Sequence, residues 1–272
     1  MTPTDDLALI THAARACGPL LRARFGGPVE AWRKGNDSPV TEIDLALDAM
    51  LTETLRNARA DYGWLSEETA DKPDRLACAR AFIVDPLDGT RAFLEGKPEF
   101  CVSIAVVAGG EAIAGAIYNP ITEEMFEGGP GLGARLNGAA VTVTRAAALP
   151  DSRLIATKRL FPEPPGEGPH LEMRNALAYR LALVAAGLFD GMSSLGMKHE
   201  WDVAAGAAIV AAAGGAVSDG FGGAPRFNQP DPRMPGVVAA GPALHPLIIK
   251  RTREMPDPRQ RQPQPAAQNK PS

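Results

Sequence analysis

The hexapeptide Asp85-Pro86-Leu87-Asp88-Gly89-Thr90 decides how this 272-residue chain is read. Before it, AFIVD at 81–85 is short, apolar and bounded by a Pro/Gly turn, which predicts a buried strand ending at Asp85. Pro86 and Gly89 force a turn, so two carboxylates three residues apart converge at the strand end. Gly89 and Thr90 open the next element, and amides exposed at the start of a helix favour an anion. Carboxylates beside an anion site would repel the anion unless a cation stood between them. Hard oxygen ligands with room for waters suit Mg²⁺. A lone pair of such carboxylates is more often a solvated acidic turn, but three other segments add to this one. Glu67 and Glu68 end the short strand WLSEE at 64–68, Asp202 follows Trp201 at the head of a helix, and Asp44 lies in the first turn of a helix capped by Thr41.

Working outward, Thr4 is placed to cap a first helix carrying Leu7, Ile10, Ala14, Cys17 and Leu21 on one face, up to about Phe25. Ile43, Leu47, Met50, Leu51 and Leu55 mark the second helix, to about Ala60. FCVSIAVVAGG and EAIAGAIYNP read as a hairpin, EEMFEGG continues it, and RLNGAAVTVT adds a further turn and strand. Gly128–Gly133 lacks the strand-then-helix context of a nucleotide loop and reads as hairpin turns. In the second half RLIAT is a strand, LEMRNALAYRLALVAAG a helix ending at Gly187, LFDGMSSL a strand and WDVAAGAAIVAAAGG a small-residue helix. Residues 216–218 and 237–240 are short strands, and a last helix falls near 242–251. No fixed repeat and no regular βαβ alternation occur, so the expected class is mixed α and β, with mixed sheets rather than a barrel. The expected folded unit is 1–255, in two subdomains of about 1–150 and 151–255. Residues 256–272, rich in Pro and Gln, form an expected disordered tail.

The balance of 28 Lys+Arg against 32 Asp+Glu gives a net charge of −4. No strong positive field is available for a nucleic-acid polymer or an anionic membrane, although a local anion site is allowed. Three scattered cysteines, Cys17, Cys78 and Cys101, have neither disulfide nor metal-site spacing and suit a reducing compartment. Asp5 and Asp6 stand where a signal peptide needs positive charge, and no stretch reaches the ~20 apolar residues of a membrane span. A cytoplasmic location is the expectation.

The segments SEE (66–68), DPLDGT (85–90), EWDVAAG (200–206) and DSPVTEID (37–44) together resemble the inositol monophosphatase superfamily over roughly residues 5–250. The resemblance implies a layered αβαβα sandwich and a Mg²⁺-dependent, lithium-sensitive phosphomonoesterase using two or three ions. By motif, Glu67, Asp85 and the Leu87 carbonyl would hold a first metal, and Asp85, Asp88 and Asp202 a second. Asp44 with Glu67 would approach a third. Glu67 and Thr90 would position and deprotonate the attacking water, and the Gly89 and Thr90 amides would hold phosphate oxygens. Lys34 matches a family lysine near the third metal. Such a set supplies the positioning and charge neutralisation that phosphoryl transfer needs. The aspartyl-phosphate phosphatases, the nearest rival, place one residue rather than two between their paired Asp residues.

The resemblance implies a small phosphate ester as substrate, with several candidates open. Arg174-Asn175-Ala176 stands where inositol phosphatases have a Gly-Ser or Gly-Thr pair, and Ser193-Ser194-Leu195-Gly196 stands where they carry a sugar-binding Glu. YGWLSEETAD, DGTRAFLEGKPEFCVSIAV and LGMKHEWDVAAG are more similar to bacterial 3′(2′),5′-bisphosphate nucleotidases. A second substrate phosphate would need a cation, with Lys198, Arg174, Arg180, Lys158 and Arg159 as candidates. Inositol-1-phosphate and histidinol or sugar phosphates are the alternatives, and a silent nucleotide-binding sensor is the alternative of another class. Both monomer and homodimer are compatible with the resemblance. His199 and Trp201 read as helix-end and core residues, and Trp32 has no assigned role.

Overall fold

Thr2, not Thr4, caps the first helix: its hydroxyl accepts the Asp5 amide and its own amide donates to the Asp5 carboxylate, closing a capping box. The computed structural model describes residues 2–33, 39–164 and 166–260; Lys34, Asp37 and the segment 261–272 lie outside them. The expected single helix to Phe25 is two, α1 (Pro3–Ala16) and α2 (Gly18–Arg24). Pro19 lacks an amide hydrogen and interrupts the ladder at Cys17.

A short hairpin of β1 (Ala31–Arg33) and β2 (Pro39–Thr41) leads into α3 (Glu42–Ala58), capped by Thr41 and Asp44 as expected. β3 (Gly63–Ser66) pairs in parallel with β4 (Arg80–Asp88), across a 3₁₀ turn at Pro73–Ala77. The single turn α4 (Thr90–Leu94) comes next. β5 (Cys101–Ala108), β6 (Glu111–Asn119), β7 (Glu124–Gly129), β8 (Gly133–Leu136) and β9 (Ala139–Ala140) complete an antiparallel meander. The stretch expected as a strand through 144 is strand only at β9. The seven-stranded sheet runs β3-β4-β5-β6-β7-β8-β9.

The second half builds five strands, β10 (Arg153–Ile155), β11 (His170–Glu172), β12 (Gly191–His199), β13 (Ala216–Ser218) and β14 (Arg233–Ala240), in the order β11-β10-β12-β14-β13. Leu171 and Glu172, expected as the head of a helix, instead join His170 in a strand parallel to β10, and α5 spans only Leu177–Ala185. α6 (Glu200–Ala212) succeeds β12, and α7 (His245–Thr252) succeeds β14. A 3₁₀ turn at Pro258–Gln260 ends the described chain.

Side-chain alternation assigns the layers. In β4, Phe82 and Val84 face the α1 and α3 core with Leu7, Ile10, Leu47 and Leu51, while Ala81 and Ile83 face the α5 and α6 core with Leu181, Val203 and Ile209. The other side of the five-stranded sheet buries Leu154, Val238 and Ala240 against Leu244 and against Ile248 and Ile249 of α7. The result is the expected αβαβα stack, with both sheets mixed in direction. α6 is apolar almost all round because it lies in the middle layer. Its small residues permit close approach: a Cβ on Gly115 would stand 2.3 Å from the Ala205 carbonyl oxygen, and one on Gly206 would stand 2.4 Å from Leu181 Cβ. No helix among the described residues is long and apolar enough to cross a membrane.

Candidate active site

β4 does not stop at Asp85. It continues through Asp88 with a register shift between the two, Asp85 opposite Ser103 and Asp88 opposite Cys101. In a regular strand, residues three apart point to opposite faces. The bulge at Pro86-Leu87, where Pro offers no ladder amide, turns both carboxylates toward the middle layer. The Leu87 amide donates to Asp85 Oδ1 at 3.0 Å and fixes that bend. Gly89 then adopts φ 97°, and a Cβ there would lie 3.0 Å from the Glu99 carbonyl and 3.1 Å from Ala176 Cβ. Only glycine fits that corner.

Asp202 enters from the first turn of α6, where one of its oxygens accepts the His199 amide at 3.1 Å. Asp85, Asp88 and Asp202 each offer an oxygen within 4.8 Å of the others. A cavity of about 230 Å³ opens on them, walled also by Glu67, Leu87, Gly89, Thr90, Arg91, Asn175 and Arg180. Glu67 comes directly after β3, its amide bonded to the Val84 carbonyl at 3.2 Å. The turn after it is pinned by Asp48 of α3, which accepts from Ser66 and Thr69 hydroxyls, each at 2.5 Å.

Asp44 is not in the cavity wall. It is buried one layer behind, with Oδ2 taken by the Thr41 amide and hydroxyl, while Oδ1 lies 3.1 Å from Thr90 Oγ1. The Thr90 hydroxyl is also 3.1 Å from the Leu87 carbonyl, so its single hydrogen serves one of these acceptors at a time. Lys198, half-buried on β12, lies outside the cavity lining. His199 caps α6 and stacks on Trp201, ring centroids 4.4 Å apart.

The electrostatics are those of a site short of positive charge. Burial, then the charges of Glu67, Asp88, Asp202 and Asp44, push the Asp85 carboxyl well above its usual range. Burial lifts Asp88 to about 6, against the pull of the Ala178 and Leu177 amides and Arg180. Burial, then the charges of Asp88 and Glu67, lifts Asp202 to about 8. An all-oxygen set of clustered, desolvated carboxylates fits a small hard cation, which would let all three ionise together.

Two features have no signal in the acidic motifs. The Ala178 amide, from the head of α5, donates to Asp88 Oδ2 at 2.6 Å. Just before it Ala176 adopts φ 58°, and Glu99 accepts from both the backbone and the side-chain nitrogen of Asn175. Asp44 was legible as a cap but not as the partner of Thr90.

The inositol monophosphatase family profile matches residues 4–257. The chain is 32% identical over 259 residues to Nus factor SuhB of Salmonella typhimurium, covering 90% of this chain and 92% of that one. It is 34% identical over 253 residues to the inositol-1-monophosphatase of Mesorhizobium japonicum, with 86% and 91% covered. Among solved structures, the IMPase of Thermotoga maritima superposes with a TM-score of 0.82 at 27% identity, covering 92% of this chain and 97% of that one. The chain therefore belongs to the inositol monophosphatase family and is a metal-dependent phosphomonoesterase.

Proposed function

We propose that the chain is a Mg²⁺-dependent 3′(2′),5′-bisphosphate nucleotidase, converting an ester of the 3′-phosphoadenosine 5′-phosphate type to AMP and phosphate. Arg180 carries this reading. It lines both the carboxylate cavity and an adjoining cavity of about 450 Å³ bounded by Lys97, Glu99, Met173 and Arg174. Its Nε is buried without a hydrogen-bond partner among the described residues, and burial holds its pKa below the ordinary guanidinium value. The charges of Asp88 and Glu99 offset that burial only in part, and a second substrate phosphate would offset the rest with a bidentate contact. Two of the other candidates are less suited. Arg174 is committed to Glu172 at 2.5 Å and Glu99 at 3.6 Å, and Arg159 lines a separate cavity with Thr157 and Leu195.

Glu67, Asp85 and the Leu87 carbonyl would hold one Mg²⁺, and Asp85, Asp88 and Asp202 a second. Bound Mg²⁺ would neutralise phosphate charge and make water a competent nucleophile near neutral pH. Thr90, its hydrogen directed to Asp44, would accept a hydrogen bond from the attacking water and orient it opposite the leaving group, with Glu67 as the nearby base. The Gly89 and Thr90 amides would hold phosphate oxygens. Both Asp44 oxygens being engaged, we assign Asp44 to Thr90 rather than to a third ion. The three free thiols are in keeping with a cytoplasmic setting.

The name of the Mesorhizobium japonicum relative favours a second reading, inositol-1-phosphate as substrate. Arg180→Ala separates the two. The nucleotidase reading expects kcat/KM for the bisphosphate to fall about tenfold to a hundredfold, the value of a lost charge-assisted contact, with little change on inositol-1-phosphate. An equal fall on both substrates would reject Arg180 as the second-phosphate reader.

A further inference from the structure

We propose that Glu99 is a positioning residue of the metal site, acting through Asn175 and Ala176 to hold the head of α5 against Asp88. Glu99 does not line the carboxylate cavity, whereas Asn175 and Ala176 do. One oxygen, Oε2, accepts from the Asn175 backbone amide at 3.0 Å and from Asn175 Nδ2 at 2.8 Å. The other, Oε1, stands 3.6 Å from an Arg174 nitrogen. The Glu99 backbone meets the same corner from beneath, its carbonyl packed on Gly89 beside the Ala176 methyl.

This clamp answers a local problem. α5 has no side-chain cap, and its N-cap Ala176 adopts φ 58° and ψ 113°, a left-handed conformation that a residue with a Cβ avoids. Such a conformation persists only where its neighbours over-determine it. Asn175, clasped by Glu99, fixes one side of Ala176, and the Ala178 amide on Asp88 at 2.6 Å fixes the other. Two hydrogen bonds from Asn175 to Glu99 and one from the Ala178 amide to Asp88 thus hold the head of α5 against β4, and the orientation of the Asp88 carboxylate is fixed through Oδ2. Loss of groups that orient a metal ligand lowers metal affinity by about 10–100-fold.

The test is Mg²⁺ binding by calorimetry and by Mg²⁺-dependent thermal unfolding, with Glu99→Ala, Glu99→Gln and Glu99→Ala/Ala176→Gly. Glu99→Ala is expected to weaken Mg²⁺ binding about tenfold or more. Glu99→Gln, which keeps an acceptor oxygen, should stay within about threefold of the parent. Glycine at 176 accepts the left-handed conformation without the clamp, so the double variant should recover much of the lost affinity. A parental Mg²⁺ affinity in Glu99→Ala, whatever its metal-free unfolding temperature, overturns the proposal. So does failure of both Glu99→Gln and the double variant to restore binding. If Glu99→Ala does not fold, Asn175→Ala removes one of the two donors to Glu99 and is read in the same way, weaker Mg²⁺ binding supporting the clamp and unchanged binding rejecting it.

Discussion

At the scale of single residues, the site turns on which carboxylate oxygens face the cavity and which are already used. Asp88 has one oxygen bonded to the Ala178 amide and its carboxyl pushed up to about 6 by burial. Asp88→Asn keeps the shape and removes the charge. It should lower kcat/KM by roughly a hundredfold or more, since even groups that only orient a ligand account for 10–100-fold. Circular dichroism should show the parental fold, and unchanged turnover would remove Asp88 from the metal ligands. Thr90 makes a separable case. Its Oγ1 is 3.1 Å from Asp44, so Thr90→Ala and Asp44→Asn act on one hydrogen bond. Both should lower kcat far more than they raise KM, and the double variant should lose little beyond the worse single. A KM effect in Thr90→Ala as large as its kcat effect would make Thr90 a binding group instead.

At the scale of elements, the middle-layer helix α6 fits closely against the seven-stranded sheet. Its Ala205 carbonyl leaves no room for a methyl on Gly115 of β6, where a Cβ would stand at 2.3 Å. Gly115→Ala should therefore cost about 1–3 kcal/mol by overpacking. It should lower the unfolding temperature by several degrees, and a neutral result would mean that α6 can slide on the sheet. Element identity was legible where pattern and chemistry agreed. Thr41 with Asp44 marked α3, and the Gly109-Gly110 turn marked the β5–β6 hairpin. What escaped depended on contacts remote in sequence. Leu171 lies on a strand because it pairs with Leu154, not because of any local alternation. Asp88 belongs to β4 because Cys101 pairs opposite it beyond a bulge. The acidic cluster itself could be read from its motifs, since Pro86 and Gly89 mark the bend that carries Asp85 and Asp88, and Asp202 opens the small-residue helix α6. The groups that aim it, Glu99, Asn175 and Ala176, carry no motif, because their role arises only when α5 meets β4.

At the scale of the whole molecule, the buried carboxylates couple stability to pH and to metal. A carboxyl whose pKa is raised on folding binds its proton more tightly folded than unfolded. Its stability contribution is full below the ordinary value near 4 and is lost as pH rises through the folded value. Asp88 at about 6, Asp202 at about 8 and Glu200 at about 7 all share this sign. His199 and His245, held low by burial, oppose it only below their ordinary 6.5. The metal-free protein should therefore lose thermal stability from pH 6.5 to 8, and Mg²⁺ should raise the unfolding temperature most at pH 8, releasing protons as it binds. A pH-independent Mg²⁺ effect would argue that Asp88 and Asp202 do not bind it. The central claim, a Mg²⁺-dependent phosphatase that reads a second phosphate, meets its most direct test in phosphate release from 3′-phosphoadenosine 5′-phosphate and inositol-1-phosphate in parallel, titrated with Mg²⁺. Mg²⁺-dependent release with a strong preference for the bisphosphate is expected. A preference for inositol-1-phosphate would contradict the role given to Arg180 while leaving the metal site intact, and release independent of Mg²⁺ would contradict the site itself.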